Sequence, residues 1–185
     1  MLKKTFLALA AITAFGIGSV DTASAINLGL MRKPGIERAT TYAPIGYTIF
    51  CMNNRSECRG GGSSVVPYNA ATMAKLNQVN RSVNASIRPV ADGTEKWSVN
   101  VSSGDCEDYA LTKRSRLIRA GLPAGALRMA DVTTARGERH AVLVVKTTSG
   151  DYVLDNLRGS IVKRQSTGYR FNSVATANPM KWSRF

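Results

Sequence analysis

The sequence predicts an α+β domain in which a helix that begins with a cysteine packs on an antiparallel sheet. Three observations carry this expectation. Met73, Leu76, Val79, Val83 and Ile87 recur at three- and four-residue spacing, the mark of one apolar helix face. A second helical stretch opens after Gly104-Asp105 and stops at Gly121 and Pro123. Beyond it come short apolar runs, of which His140 to Val145 and Tyr152 to Leu154 flank the turn Thr147-Thr148-Ser149-Gly150-Asp151 as a hairpin. At 185 residues, 44% hydrophobic and 20% charged, the chain suits one domain with a real core and is neither disordered nor fibrous.

The elements follow in order. Lys3 and Lys4, an apolar run from Phe6 to Val20 broken by Gly16 and Gly18, and the exit Ala23-Ser24-Ala25 have the form of a secretory signal peptide. The expected organisation is therefore a signal peptide over 1–25 and one domain over 26–185. The apolar run is too short for a membrane helix, and no later segment is long enough to span, so no transmembrane segment is expected after signal removal. From Ile26 to Tyr68 the composition indicates loops, with Thr48-Ile49-Phe50 as a short strand. Asn69 to Arg88 is a helix capped by Asn69 and stopped by Pro89. Asn80 and Asn84 lie on one side of it, solvated or bonded to a neighbouring loop. Ala91 to Ser103 is a polar loop anchored by Trp97.

Gly104 to Gly121 is the second helix, with Asp105 as N-cap and a buried stripe of Ala110, Leu111, Leu117 and Ile118. Its basic residues Lys113, Arg114, Arg116 and Arg119 are expected on a solvated face. Leu127 to Val132 is a strand, and the continuous apolar run after His140 suits a central strand buried on both faces. Further strands are expected around Ile161-Val162 and Tyr169-Arg170-Phe171.

With one histidine, multi-histidine metal sites are excluded, and any histidine chemistry must use His140. Three cysteines in an exported chain suggest one disulfide and one thiol. Cys51 and Cys58 bracket a turn-rich loop and form the expected pair, leaving Cys106. Pairing of Cys58 with Cys106, and a buried inert Cys106, remain open alternatives.

Cys106 stands in the first turn of its helix, where free N–H groups and the helix dipole favour a thiolate. The neighbouring acids Asp105, Glu107 and Asp108 oppose ionisation, so a base is needed. His140, at the start of a buried strand, is the only histidine to serve, and Asp155 at the end of the returning strand could orient its ring. If the hairpin loop has three residues, Thr147 pairs with Asp151 and Asp155 faces Leu143. That register leaves Asp155 roughly 10 Å along the strand from His140.

Gly104-Asp105-Cys106-Glu107-Asp108-Tyr109, Arg139-His140-Ala141-Val142-Leu143 and Leu154-Asp155-Asn156 together resemble the bacterial transglutaminase-like cysteine proteinases. The likeness extends to Phe50-Cys51 with Glu57-Cys58, to Leu76-Asn77-Gln78-Val79-Asn80, to Asp92 and Trp97, and to Gly168-Tyr169-Arg170-Phe171. It implies a papain/transglutaminase-like core and a periplasmic thiol peptidase with nucleophile Cys106, base His140 and orienting acid Asp155. Family members release surface adhesins by cleaving near the adhesin's N-terminus. Some bind calcium through acids matching Asp105 and Glu107, although two carboxylates fall short of the six to eight oxygens calcium takes. The chemistry itself requires no cofactor. The segment from Ala91 to Trp97 is shorter than the family pattern.

The expected activity is hydrolysis of a protein or peptide, such as an envelope or surface protein, through a thioester. An amine acceptor in place of water would give a transglutaminase or amidase instead. The net charge is +13, and +12 once Lys3, Lys4 and Asp21 leave with the signal segment. It suggests an acidic substrate or, in a third reading, a non-catalytic module for an acidic envelope partner. Nucleic acid is not expected, since the chain is exported and carries no nucleic-acid-binding motif. The sequence leaves the oligomeric state open.

Overall fold

The computed structural model describes residues 39–91 and 96–184. The expected signal segment 1–25, and Asp92, lie outside the described residues. Within them, strand β1 (Thr40–Thr41) and helix α1 (Ile45–Asn53) precede the long helix α2 (Ala70–Ser86). A small parallel pair follows, β2 (Arg88–Pro89) with β3 (Ser103–Gly104), leading directly into helix α3 (Cys106–Arg119). After it come strands β4 (Leu127–Thr133), β5 (Arg139–Thr147), β6 (Gly150–Leu154), β7 (Val162–Lys163), β8 (Arg170–Ala175) and β9 (Trp182–Arg184), with short 3-10 turns at Ala124–Ala126 and Arg164–Ser166. The large sheet runs β1-β9-β8-β4-β5-β6-β7, with every neighbouring pair antiparallel. The α+β class read from the sequence is the class observed.

Strand alternation divides the core in two. Leu127, Met129, Leu143, Val145 and Leu154 join the helices in one apolar cluster, around Tyr47, Leu76, Val83, Tyr109 and Leu117. Ala130, Val132, Val142, Val144 and Val153 form a second cluster on the other face with Phe171 and Val174. A register shift between Asp131 and Val132 against β8 lets Phe171 and Val174, three apart, share that face.

Local chemistry sets the helix limits. Asn69 Oδ1 accepts from Thr72 N–H at 2.8 Å, capping α2 as expected. The helix ends at Ser86, because Pro89 disfavours helical geometry at Arg88 and both residues enter the β2–β3 pair. Gly121, with φ +87°, turns the chain out of α3 in the left-handed conformation.

Two expectations require correction. Thr48-Ile49-Phe50 is not a strand but part of α1. Gly46, Tyr47, Phe50 and Cys51 are its buried positions, a helical spacing that the β-branched Thr48-Ile49 pair hides. The β5–β6 hairpin pairs Thr147 with Gly150, not Asp151, so its loop has two residues. Thr147 Oγ1 organises the turn by accepting from Ser149 N–H at 3.1 Å and donating to the Gly150 carbonyl at 2.7 Å. Leu143 therefore faces Leu154, and continuing that register sets Asp155 opposite Val142. A one-residue slip reverses the face of every side chain. The observed register puts Asp155 on the face of His140, two positions along, whereas the expected one would have put it on the other.

Candidate active site

The site is built on the first turns of α3. Gly104 leads into them, and a Cβ there would lie 2.0 Å from Asp108 Oδ2, so the approach requires glycine. Asp108 is buried and accepts the Ser98 N–H at 2.7 Å, while Thr112, one turn on, accepts the Asn100 N–H at 2.9 Å. These two bonds tie the loop that carries Trp97 against α3. The indole, 9% exposed, packs edge-on to Tyr47 at 5.6 Å and lines the cleft in which Cys106 sits.

Cys106 is half-buried at the head of the helix, as expected, with Asp105 as the extended N-cap residue. Its thiol donates to Glu107 Oε2 at 3.1 Å and accepts from the Ala141 N–H at 3.4 Å. That N–H belongs to β5 beyond Leu143, the last residue paired with β6. Burial raises the thiol well above its ordinary value; the charge and hydrogen bond of Glu107 add to this, Asp105 contributes, and only the Ala141 N–H opposes. Glu107 is itself raised to about 7, by burial first and then by its hydrogen bond with Asp105. The cysteine keeps its proton, and of the acids expected to oppose ionisation Glu107 and Asp105 do so.

His140 lies at the start of β5 and is 7% exposed; Asp155, just beyond β6, is 1% exposed. His140 Nε2 and Asp155 Oδ1 are 2.9 Å apart. The corrected register makes this possible, since the two residues share a face as diagonal neighbours across the pair. Asp155 Oδ1 also accepts the Leu157 N–H at 3.0 Å, and Oδ2 accepts the Tyr169 hydroxyl at 2.6 Å. Burial alone would raise the Asp155 carboxyl. Hydrogen bonds with His140, Tyr169 and Leu157 together hold it below the usual carboxylate range.

Cys106 and His140 line one cleft, together with Trp97, Asp105, Glu107, Asp131 and Arg139. Among the described residues, the thiol's hydrogen bonds run to Glu107 and Ala141, whereas the imidazole is bonded to Asp155. The donor atoms of Asp105, Cys106 and Glu107 all lie within 4.8 Å of one another, a spacing that suits a shared cation. Cys51 and Cys58 are joined as a disulfide with their Cα atoms 5.5 Å apart, and Cys106 is the free cysteine.

The basic stretch of α3 departs from expectation. Arg119 is exposed and Arg116 half-buried, but Lys113 and Arg114 lie in the core. Arg114 donates to the carbonyls of Leu127, Glu57 and Arg59, and Ser115 donates to Glu57 Oε1 at 2.9 Å, so α3 grips the disulfide loop. Lys113 Nζ makes no hydrogen bond among the described residues and lies 5.8 Å from the Tyr109 ring centroid. Desolvation lowers it to about 7, opposed by the attraction of Asp155. Asn84 Nδ2 donates to the carbonyls of Asp155 and Arg158, and Asn80 Nδ2 to those of Arg158 and Gly159. The two asparagines thus hold the turn behind Asp155. Sequence reading gave Tyr169 no role of its own and placed Lys113 on a solvated face. Tyr169 stood only within a motif, and Lys113 among neighbours whose charge implied exposure.

A cysteine at a helix N-terminus that shares a cleft with a carboxylate-bonded histidine on an antiparallel sheet defines the thiol-hydrolase class built on the papain-like core. A family model for the bacterial transglutaminase-like cysteine proteinases (BTLCP) matches residues 37–185, and the chain belongs to that family. It is accordingly a transglutaminase-like cysteine peptidase. Its fold is similar to that of LapG from Legionella pneumophila, with TM-score 0.54 and 22% identity over 75% of this chain and 78% of that one. Calcium-bound LapG gives TM-score 0.52 at 21% identity over 75% and 78% of the two chains. EGTA-treated LapG gives 0.53 at 22% over 72% and 73%. No curated protein sequence matches the chain.

Proposed function

We propose that Cys106 is the nucleophile of this peptidase, His140 its general base and Asp155 the acid that orients the imidazole. The observation that carries this reading is the 2.9 Å bond between His140 Nε2 and Asp155, in the cleft that also holds Cys106. With Nε2 engaged, Nδ1 is the ring nitrogen left to take the thiol proton. The thiolate sulfur then attacks the peptide carbonyl carbon to form a tetrahedral adduct, and its C–N bond breaks as the imidazolium gives its proton to the departing amine. A thioester remains. Water, deprotonated by His140, attacks it and releases the acid product with the thiol restored. The backbone N–H of Cys106, at the positive end of α3, is the natural donor to the oxyanion.

Asp105 and Glu107 fit a calcium ion in part. Their oxygens converge, both carboxyls stand against the thiol, and Glu107 is raised to about 7 by burial and by Asp105, as expected of a crowded acidic pair without a counter-charge. These two residues would hold the ion, with its remaining oxygen ligands coming from other groups. Bound there, it would supply positive charge that offsets both carboxylates and eases loss of the thiol proton. The similarity to calcium-bound LapG points the same way.

Export to the periplasm or beyond is part of the proposal. It is supported by the form of residues 1–25 and by a Cys51–Cys58 disulfide, which persists in an oxidising compartment. No helix among the described residues is long and apolar enough to cross a membrane. The substrate proposed is an envelope or surface protein such as an adhesin. An acidic sequence at the scissile bond finds no support, because Asp105, Glu107 and Asp131 line the cleft and Arg139 is paired with Asp131 at 2.8 Å. Incubation with an envelope-protein fraction, read by product mass, tests the activity. Cleaved products that gain one water and vanish in Cys106→Ala and His140→Ala are expected. Ammonia loss or a new isopeptide mass would replace hydrolysis by amine transfer, and undiminished cleavage by Cys106→Ala would remove the nucleophile.

A further inference from the structure

We propose that Tyr169 is a positioning residue of this site, its hydroxyl fixing the Asp155 carboxylate and its ring standing edge-on against the His140 imidazole. The inference rests on the Cys106–His140–Asp155 assignment and deepens it. The two oxygens of Asp155 have separate duties. Oδ1 meets His140 Nε2 and the Leu157 N–H, while Oδ2 takes the Tyr169 hydroxyl at 2.6 Å. The Tyr169 and His140 ring centroids are 5.8 Å apart with planes at 83°, so one side chain bears on both partners of the bond.

Tyr169 is itself held. Gly168, with φ +73°, turns the chain ahead of it, and the Tyr169 N–H donates to Thr167 Oγ1 at 3.1 Å. The Arg158 guanidinium lies 5.6 Å from its ring centroid, donates to the Thr167 carbonyl at 2.8 Å and brings Nε to 4.0 Å from Asp155 Oδ2. Tyr169, Arg158 and Thr167 thus form a closed set behind the carboxylate, none of them touching the thiol.

Donation to Oδ2 draws negative charge from Oδ1 and prevents the carboxylate from rotating. Oδ1 is then a weaker, better-aimed acceptor for the imidazole, and loss of the Tyr169 donor would strengthen the carboxylate's hold on an imidazolium. The other titratable and charged groups around this pair are Lys113 from α3, Cys106 with Asp105 and Glu107 at the helix head, and Asp131 with Arg139 across the cleft.

His140 is the only histidine in the chain, so imidazole ¹⁵N signals of the tag-free protein report it alone. In Tyr169→Phe, which keeps the ring, its titration midpoint should move up by about half a pH unit, roughly a threefold gain in proton affinity. Arg158→Met, which leaves the hydroxyl in place, should move it the same way. An unchanged midpoint in Tyr169→Phe overturns the inference, whatever Arg158→Met shows. Asp155→Asn should lower the midpoint, and His140→Ala should slow alkylation of Cys106 by iodoacetamide. Should either of these fail, the triad assignment falls. Should both hold while Tyr169→Phe titrates as the parent does, only the role of Tyr169 is lost.

Discussion

Lys113 shows how a single residue can set the pH response of the fold. Its ammonium is fully buried without a hydrogen bond among the described residues, and desolvation lowers it from 10.5 to about 7. Above about pH 7 the folded protein holds it neutral while the unfolded chain still binds the proton. Stability should therefore rise with pH between about 7 and 10.5, the burial cost being fully felt below that window. Lys113→Met, similar in length and uncharged, should raise stability at pH 7 by about 1–4 kcal/mol and flatten the rise. Urea unfolding of both proteins at pH 6, 8 and 10 checks this. At this scale the sequence was partly legible. Cys106, His140 and Asp155 could be chosen by residue chemistry, because a lone histidine and a helix-start cysteine leave few options. Lys113 and Arg114 could not, since their burial depends on what packs against α3 rather than on α3 itself.

Among the elements, α3 organises most of the site. Its head carries Cys106, and Asp108 and Thr112 tie down the Trp97 loop. Arg114 and Ser115 grip the loop closed by the Cys51–Cys58 disulfide. Arg114→Met leaves the carbonyls of Leu127, Glu57 and Arg59 without that donor and should destabilise the protein by about 3 kcal/mol in urea unfolding. A loss below about 0.5 kcal/mol would mean that other donors replace the guanidinium. The limits of α2 and α3 and the β5–β6 hairpin could be read from caps, stops and periodicity. Helix α1 could not, because Thr48-Ile49 imitates a strand. The edge strand β1 pairs with β9 over only two residues, and that partner is distant in sequence. The hairpin register was missed by one residue, because a two-residue and a three-residue loop both satisfy Thr148-Ser149-Gly150.

For the molecule as a whole, the chief electrostatic fact is an acidic cleft in a strongly basic chain. The net charge is +13, yet Asp105, Glu107 and Asp131 stand around the cysteine, with Arg139 the one Lys or Arg side chain lining the cleft among the described residues. The charge balance was evident in the composition. Its separation into a basic exterior and an acidic cleft was not, because it depends on the fold bringing the head of α3 against β4 and β5. Burial first, and then the acidic charge of Glu107 and Asp105, holds the thiol protonated.

Alkylation of the unreduced protein by iodoacetamide, followed by peptide mapping, tests the central claim most directly. The account predicts one modified thiol, Cys106, labelled faster in calcium than in chelator, with Cys51 and Cys58 unmodified. It also predicts that His140→Ala slows the reaction in calcium. A Cys106 equally inert in calcium and chelator, or one that reacts at the parent rate without His140, would contradict it.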